Sequence, residues 1–287
     1  MTEPRDTDLV DRIYASVQGT ATTATAPRVT VGERVVLVEL THPDHGHLAG
    51  VAHRPRGERP ESWPENVSAL ASLATDGNID GKVRRAVGIA TLNALSAPEV
   101  EWQSGDPMAS LDDAVATIAT VGLFRPAFRK FSAVDVRVVE REPPDSVTSP
   151  DDVTVDLFPP DECETAFAGA DVCFITGSTL VYGGLDRYLS ALRSADVPLV
   201  VLVGATASFV PGPAFDAGVD LVAGARVRNP TSVRASVRAG DCGTDLHDSG
   251  LEKVYVARSA VLPGLGLDGE QPDETNERPS ETGQSKP

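Results

Sequence analysis

The second half of the chain alternates short apolar runs with amphipathic stretches. The apolar runs are rich in Val and Ile and have the length of buried parallel strands. Several are separated by segments with the period of a helix. This alternation predicts an α/β fold with a Rossmann-like, doubly wound parallel sheet. The predicted strands cover residues 116–122, 134–139, 171–175, 198–203, 219–222 and 254–257, and the predicted helices begin near residues 126, 185 and 230.

The first hundred residues follow a different pattern, in which helical stripes surround alternating, strand-like stretches. An acidic segment bounded by Pro98 and Pro107 ends this part. We expect a small α+β domain over residues 1–100, a Rossmann-like domain over residues 108–262 and a disordered acidic tail over residues 264–287. The predicted helices of the first domain cover residues 6–17 (capped by Asp6 or Thr7), 62–73 (capped by Ser62) and 80–95. Its predicted strands cover residues 29–40 and 48–53, and residues 20–27 are expected to be a linker. In the second domain, residues 143–154 are expected to be a loop.

The charge of the chain excludes several classes of partner. Of 287 residues, 42 are acidic and 25 basic, so the net charge is −17. This balance argues against a nucleic-acid surface and against an anionic membrane surface. The chain has 4 Lys against 21 Arg, and an acidic, lysine-poor surface is typical of proteins from a salt-rich, halophilic cytosol.

The N-terminal residues and the cysteines indicate a cytoplasmic protein. Residues 1–20 lack the apolar segment of a secretory leader, and no apolar run has the length of a membrane span. Cys163, Cys173 and Cys242 are too scattered for a disulfide framework or a close-spaced metal site. We expect Cys173, inside an apolar run, to be a buried thiol.

Polar and glycine residues follow the predicted strands at their carboxyl ends, where ligands bind in open parallel sheets. Hydroxyls and free N–H groups in such turns suit an anion or another polar ligand. The alternative is that the same hydroxyls only cap the helix that follows. The candidate ligand-binding residues are Gly122, Phe124, Arg125, Glu140, Thr176, Gly177, Ser178, Thr179, Gly204 and Thr206.

Glu140 follows Gly122 by 18 residues, near the spacing at which an acid binds ribose hydroxyls in a dinucleotide-binding unit. We therefore predict that Glu140 is partly buried at the sheet edge, near Gly122 and Thr176. Gly122 stands alone, however, whereas the fingerprint of dinucleotide-binding units, Gly-x-Gly-x-x-Gly, has three glycines with three separate roles. Gly122 can fill only one of them.

Four segments carry a resemblance to a known family. They are Thr-Val-Gly-Leu-Phe-Arg-Pro at 120–126, Val-Glu-Arg-Glu-Pro at 139–143, Thr-Gly-Ser-Thr at 176–179 and the helix with Gly88, Ala90 and Asn93. Together they resemble the putative heavy-metal chelation family, whose Rossmann-like half follows a half similar to the N-terminal domain of enolase. The resemblance implies a protein that binds a metal or a metal chelate. The chain departs from the family pattern at Tyr182, Gly184 and Ala205.

Asn93 is the polar residue of an otherwise apolar, small-residue helix. Its amide can donate and accept hydrogen bonds, so it could bridge the turn at residues 176–179 and a bound ligand. The alternative is a bond to a backbone group within the first domain. The first interpretation predicts a composite site between the two domains.

Four of the five histidines, His42, His45, His47 and His53, lie within twelve residues. The spacing of His42, His45 and His47 could place imidazoles around Zn²⁺ or Ni²⁺. A hairpin tip lacks the surrounding groups that orient ligands, so we expect weak binding or a solvated turn without metal.

These observations favour a protein that binds a metal or small polar ligand at the interface of its two domains. A divalent or heavy metal ion is the cofactor that the resemblance implies, and a homo-oligomer is compatible with it. Two alternatives stay open: an enzyme using a nucleotide-like cofactor at the strand ends, and a scaffold that has lost its ligand. No nucleophile–base arrangement is visible in the sequence, so it does not decide whether the protein is an enzyme.

Overall fold

The structure, a computed structural model, describes residues 8–76 and 81–267. In this part of the chain, a three-stranded antiparallel sheet with helices precedes an eight-stranded, mostly parallel sheet. The arrangement confirms the predicted fold class. No helix among the described residues is long and apolar enough to span a membrane.

The N-terminal elements form an antiparallel sheet covered by helices on one face. Their bounds are α1 (Leu9–Thr23), β1 (Thr25–Val31), β2 (Val35–His42), β3 (Gly46–His53), α2 (Val67–Ser72) and α3 (Lys82–Ser96). In α3, residues from Ala86 to Ser96 are all buried, because this helix packs on β2 and β3 as well as on α1, α2 and later elements.

The large sheet has the order β4-β11-β10-β9-β8-β5-β6-β7. The strands from β10 to β7 in this order are parallel, whereas β4 and β11 are antiparallel to their neighbours. The strands are β4 (Gln103–Ser104), β5 (Thr117–Val121), β6 (Val134–Val139), β7 (Val153–Phe158), β8 (Val172–Thr176), β9 (Val200–Val203), β10 (Leu221–Val227) and β11 (Leu251–Ala257). The helices are α4 (Cys163–Phe167), α5 (Thr179–Tyr182), α6 (Leu185–Ser194), α7 (Gly212–Asp216), α8 (Pro230–Ala239) and α9 (Thr244–Asp248).

The central strand of the three-stranded sheet, β2, is buried on both faces, which joins the two halves of the fold. Alternate residues of β2 point to opposite faces, as the strand period requires. Val36, Val38 and Leu40 pack with the N-terminal helices. Leu37 on the other face packs with Val233 and other residues of the C-terminal half.

Several predicted boundaries were wrong for local reasons. Helix α1 continues to Thr23 and β1 begins at Thr25, so the segment at residues 20–27 is not a linker. Asn66, not Ser62, caps α2 by accepting a hydrogen bond from the Ala69 N–H at 3.0 Å. Asp8 caps α1 by accepting a hydrogen bond from the Val10 N–H. The caps predicted for this helix, Asp6 and Thr7, lie outside the described residues, as does residue 80, the predicted start of α3.

The C-terminal half also differs from the prediction in four places. Strand β7 occupies residues expected to lie partly in a loop, and β11 runs antiparallel. Only a single 3-10 turn, Ala127–Lys130, follows Pro126, where a helix was expected. Leu265, near the start of the predicted tail, is buried and bridges to Leu111. Residues 268–287 of that tail lie outside the described residues.

Candidate functional site

A cleft of about 330 Å³ opens at the carboxyl ends of β5 and β8. These neighbouring strands are the point where the order of the sheet reverses, since β6 and β7 lie on one side and β9 and β10 on the other. Ligands of open α/β sheets bind at such a switch point. The cleft is lined by His53, Val121, Gly122, Leu123, Phe124, Val139, Glu140, Arg141, Thr176, Ser178, Thr179, Tyr182, Gly183 and Tyr188.

Gly122 allows the loops after β5 and β8 to lie against each other. Its φ is +96°, a conformation that favours glycine. A Cβ at this position would lie 2.8 Å from the Thr176 Cγ2. The single glycine of the predicted strand end is therefore required by the close approach of Thr176.

Glu140 lies half-buried in the cleft wall, beside Gly122 and Thr176, as predicted. Its carboxylate accepts a hydrogen bond from the Leu123 N–H at 3.0 Å and another from the Arg141 N–H at 2.8 Å. Glu140 thus ties the loop after β5 to the loop after β6. Both carboxylate oxygens already accept backbone hydrogen bonds, so a direct ligand contact would be an additional one.

The turn after β8 presents hydroxyl groups to the cleft. The Thr176 and Ser178 Oγ atoms are 3.1 Å apart, and the Thr179 hydroxyl donates to the Thr176 carbonyl oxygen at 2.7 Å. Thr179 is buried, whereas Thr176 and Ser178 are partly accessible. The turn therefore offers two hydroxyls to a ligand and uses the third to hold its own shape.

His53, at the end of β3, brings the N-terminal sheet to this cleft. Its Nε2 lies 3.0 Å from the hydroxyl of Tyr182 at the end of α5. The His53 backbone N–H donates to the Thr206 Oγ1 at 2.9 Å. The cleft is thus built by both halves of the fold.

Two cationic side chains lie beside Tyr182 of the cleft, although the chain is acidic overall. The Arg141 guanidinium lies 3.9 Å from the centre of the Tyr182 ring, and the Lys82 ammonium lies 5.7 Å from it. Both distances fall within the range of cation–π contacts. Burial, and then the charges of Arg141 and Arg34, lower the pKa of His53, so its imidazole is held in the neutral form.

Residues 108–256, more than half of the chain, match the family described as putative heavy-metal chelation. The chain belongs to this family. The match covers β5 to β10 and most of β11, including the polar groups of the cleft that follow β5, β6 and β8. No curated protein matches the chain significantly.

Two solved structures of the family, both described as proteins of unknown function, share the fold. The protein from Pyrococcus horikoshii is 20% identical, with a TM-score of 0.70 over 87% of this chain and 99% of that one. The protein from Desulfitobacterium hafniense DCB-2 is 17% identical, with a TM-score of 0.69 over 89% of this chain and 100% of that one. These similarities extend the likeness to the N-terminal half.

The remaining predicted site residues lie apart from the cleft of this family member. Arg125 is exposed and does not line the cleft. Gly177 packs against the loop after β9, where its Cβ would lie 3.0 Å from the Ala207 nitrogen. Gly204 and Thr206 belong to that loop, and buried Thr206 holds the His53 backbone instead of facing the cleft.

Asn93 crosses between the two halves, but to a different loop from the one predicted. Its Nδ2 donates to the Val51 carbonyl oxygen at 2.8 Å and to the Thr206 carbonyl oxygen at 3.0 Å. Its side chain is buried and does not line the cleft. Arg85, two turns earlier on α3, makes the contact to α5, where its Nε donates to the Leu180 carbonyl oxygen at 2.7 Å.

The predicted three-histidine cluster is not formed, because the hairpin register separates its members. His42 pairs with Gly46 and His47 pairs with Thr41, which places the two imidazoles on opposite faces of the sheet. Buried His42 uses both ring nitrogens, on the Thr23 hydroxyl and the Asp44 N–H. His45 lies against the His42 ring. Among the described residues, no group of three or more His, Cys, Asp or Glu is placed to hold a metal ion.

Sequence reasoning did not assign His53, Arg141 and Tyr182 to the site. Each carried a signal: His53 belonged to the histidine-rich stretch, Arg141 follows Glu140 directly, and Tyr182 was a departure from the family pattern. Their convergence depends on how β3 meets α5, which the pattern of either segment does not encode.

Proposed function

We propose that this protein binds a small anionic metal chelate in the cleft at the switch point. The observation that carries the proposal is the convergence of His53, Arg141, Tyr182 and the Thr176–Ser178 hydroxyls on one cleft. A polar ligand there would touch both halves of the fold. The family description, putative heavy-metal chelation, supports a ligand that contains a metal.

The cations beside Tyr182 support an anionic ligand, because the Glu140 carboxylate in the same cleft already accepts backbone hydrogen bonds on both oxygens. Arg141 and Lys82 both lie near Tyr182. The guanidinium of Arg141 lies 3.9 Å from the centre of that ring, and its fork of N–H donors suits a carboxylate. The hydroxyls of Thr176 and Ser178 can donate to the same ligand.

The available donors support a chelate over a bare ion. Cys163 and Cys173 are buried in the core, and burial, followed by the nearby Cys163, raises the pKa of Cys173. Thiols in this state are poor metal ligands. His53 is neutral and can offer one ring nitrogen while the other bonds Tyr182. A metal ion that is already bound by the carboxylates of a chelator needs only one further ligand from the protein, which His53 can supply.

A nucleotide-like cofactor has less support. The loop after β5 continues into the short 3-10 turn Ala127–Lys130, so it lacks the helix N-terminus on which a pyrophosphate would lie. Glu140, the candidate ribose ligand, accepts backbone hydrogen bonds on both oxygens.

Calorimetric titration tests the proposal. The probes are nickel(II)–citrate, citrate alone and Ni²⁺ alone, each added to the wild-type chain. We expect nickel–citrate to bind with a 1:1 ratio, about tenfold or more tighter than either component. Arg141→Met should weaken this binding about tenfold, the loss expected for one charge-assisted hydrogen bond.

The matched control is Arg125→Met, which removes an exposed arginine of the neighbouring loop. It should bind nickel–citrate like the wild type. Tight binding of bare Ni²⁺ without any gain from citrate would contradict a chelate site. If Arg141→Met and Arg125→Met weaken nickel–citrate binding equally, only the overall charge of the protein matters, and the ligand does not bind in the cleft.

A further inference from the structure

A second cavity, of about 210 Å³, opens beyond Phe124 at the same edge of the large sheet. Phe124 lines both spaces and separates this cavity from the cleft. Apolar side chains form much of its wall, including Met108, Ala127, Ala223 and Val254. Its volume is below the range of pockets that hold drug-sized molecules, so it fits one or two rings or a short alkyl chain.

Two of the chain's four lysines meet at this cavity. Lys130, at the end of the 3-10 turn, and Lys253, on β11, both pair with the Oδ2 atom of Asp106, the latter at 2.8 Å. The three residues come from segments far apart in the sequence. In a chain with 21 arginines, this pairing of lysines is not expected from composition alone.

The charges of this group do not cancel. Burial by itself would raise the pKa of Asp106, but the hydrogen bonds and charges of Lys130 and Lys253 lower it, so the carboxylate is ionised. Two ammonium groups and one carboxylate leave one positive charge at the mouth of an apolar cavity. Each ammonium has three N–H donors and uses one on Asp106.

We propose that this cavity binds a small carboxylate-bearing molecule with an apolar body. The carboxylate would accept hydrogen bonds from Lys130 and Lys253, and the apolar body would fill the space between Phe124, Ala223 and Val254. The site is separate from the proposed chelate cleft and does not depend on it.

Calorimetry with a matched ligand pair tests this site. The probes are 1-naphthoate and the neutral 1-naphthalenemethanol, which share the ring system and differ in charge. We expect naphthoate to bind with a 1:1 ratio, about tenfold or more tighter than the alcohol, since a charge-assisted hydrogen bond replaces a neutral one. Lys130→Met combined with Lys253→Met should abolish that preference.

Two further variants make the result decisive even if the double variant fails to fold. Ala223→Leu fills the cavity and keeps both lysines, so it should abolish naphthoate binding. Arg129→Met removes an exposed positive charge next to Lys130 that does not line the cavity, and should leave naphthoate binding unchanged. Equal binding of the two probes, or naphthoate binding that survives Ala223→Leu, would overturn the proposal.

Discussion

The imidazole of His53 lies 3.0 Å from the hydroxyl of Tyr182, although the two residues are 129 positions apart. His53 ends a strand of the N-terminal sheet, and Tyr182 ends the short helix after β8. The Arg141 guanidinium lies over the Tyr182 ring, 3.9 Å from its centre. This chain of contacts connects the N-terminal half to the loops of the switch point, so a change at any of the three residues should affect both stability and the cleft.

The protonation of His53 should make stability depend on pH. Burial, then Arg141 and Arg34, lower the pKa of His53 below its ordinary value of 6.5. In the unfolded chain it binds a proton near pH 6.5, whereas the folded chain resists protonation. The stabilising contribution is therefore present above pH 6.5 and is lost as the pH falls through that value towards the lower folded pKa.

Urea unfolding between pH 7.5 and 5.5 measures this effect. The free energy of unfolding should fall with pH more steeply in the wild type than in His53→Gln. Thr41→Val, at an exposed position of the same sheet that does not titrate, should keep the wild-type slope. If His53→Gln also keeps that slope, His53 titrates alike in both states, which would contradict a lowered pKa of His53 in the folded chain.

Asn93 should act mainly on stability. Its Nδ2 satisfies the carbonyl oxygens of Val51 and Thr206, so Asn93→Ala leaves buried acceptors without a donor. We expect a loss of about 1–3 kcal/mol in the free energy of unfolding. Thr91→Val on the same buried helix is the matched control, because the Thr91 hydroxyl bonds only to Val87 of its own helix. An Asn93→Ala variant as stable as Thr91→Val would show that the amide contributes little to joining the two halves.

The positions of Glu140 and Thr176 could be predicted because they follow from a single rule. Apolar runs identify the strands, parallel strands share an edge at their carboxyl ends, and polar residues there meet. The same rule did not reveal His53, since it ends an antiparallel strand in the other half. Its approach to Tyr182 results from packing between the two halves, which sequence periodicity does not record.

The wrong predictions about the fold also have local causes. The residues of β7 alternate between apolar and polar types like a strand. They follow a long polar segment, so the first residues of the strand were assigned to the loop. Pro126 suits the first turn of a helix, yet the chain makes only the 3-10 turn Ala127–Lys130, is extended at Phe131 and enters β6 at Val134. The direction of β11 cannot be predicted from its hydrophobic pattern, since parallel and antiparallel strands show the same alternation of side chains.

Two helix glycines should respond to alanine in opposite ways. A methyl group added at Gly19 in α1 would meet nothing within 4 Å, whereas a Cβ at Gly88 in α3 would lie 2.0 Å from the Ala74 nitrogen. Gly19→Ala should raise the free energy of unfolding by about 0.5–1 kcal/mol, because alanine loses less backbone entropy in a helix. Gly88→Ala should lower it, since α3 must move away from the backbone of Leu73 and Ala74, which follow α2. Urea unfolding of both variants checks this, and a stabilised Gly88→Ala would contradict the close packing of α3.

The last prediction concerns the ion pair between Glu39 and Arg234, which joins β2 to α8. Glu39 accepts hydrogen bonds from the Arg234 Nε at 2.7 Å and from the Arg234 Nη2 at 2.6 Å, and the Glu39 side chain is only 3% exposed. Burial alone would raise the pKa of Glu39, but Arg234, His47 and Arg28 outweigh it and lower the pKa. A buried pair that loses one partner leaves the other charge uncompensated. Glu39→Gln should therefore destabilise the protein.

A similar pair nearer the surface provides the control. Arg226 bonds Glu252 through the same two kinds of nitrogen, at 3.0 and 2.8 Å, but the Glu252 side chain is 28% exposed. We expect Glu39→Gln to lower the free energy of unfolding at pH 7 more than Glu252→Gln, because water can solvate the exposed arginine that remains. Below pH 4.5 the wild type should lose this advantage as Glu39 is protonated through its lowered folded pKa, and the wild type and Glu39→Gln should converge. A difference that persists in acid would mean that the glutamine disturbs packing and that the charge of Glu39 is not the cause.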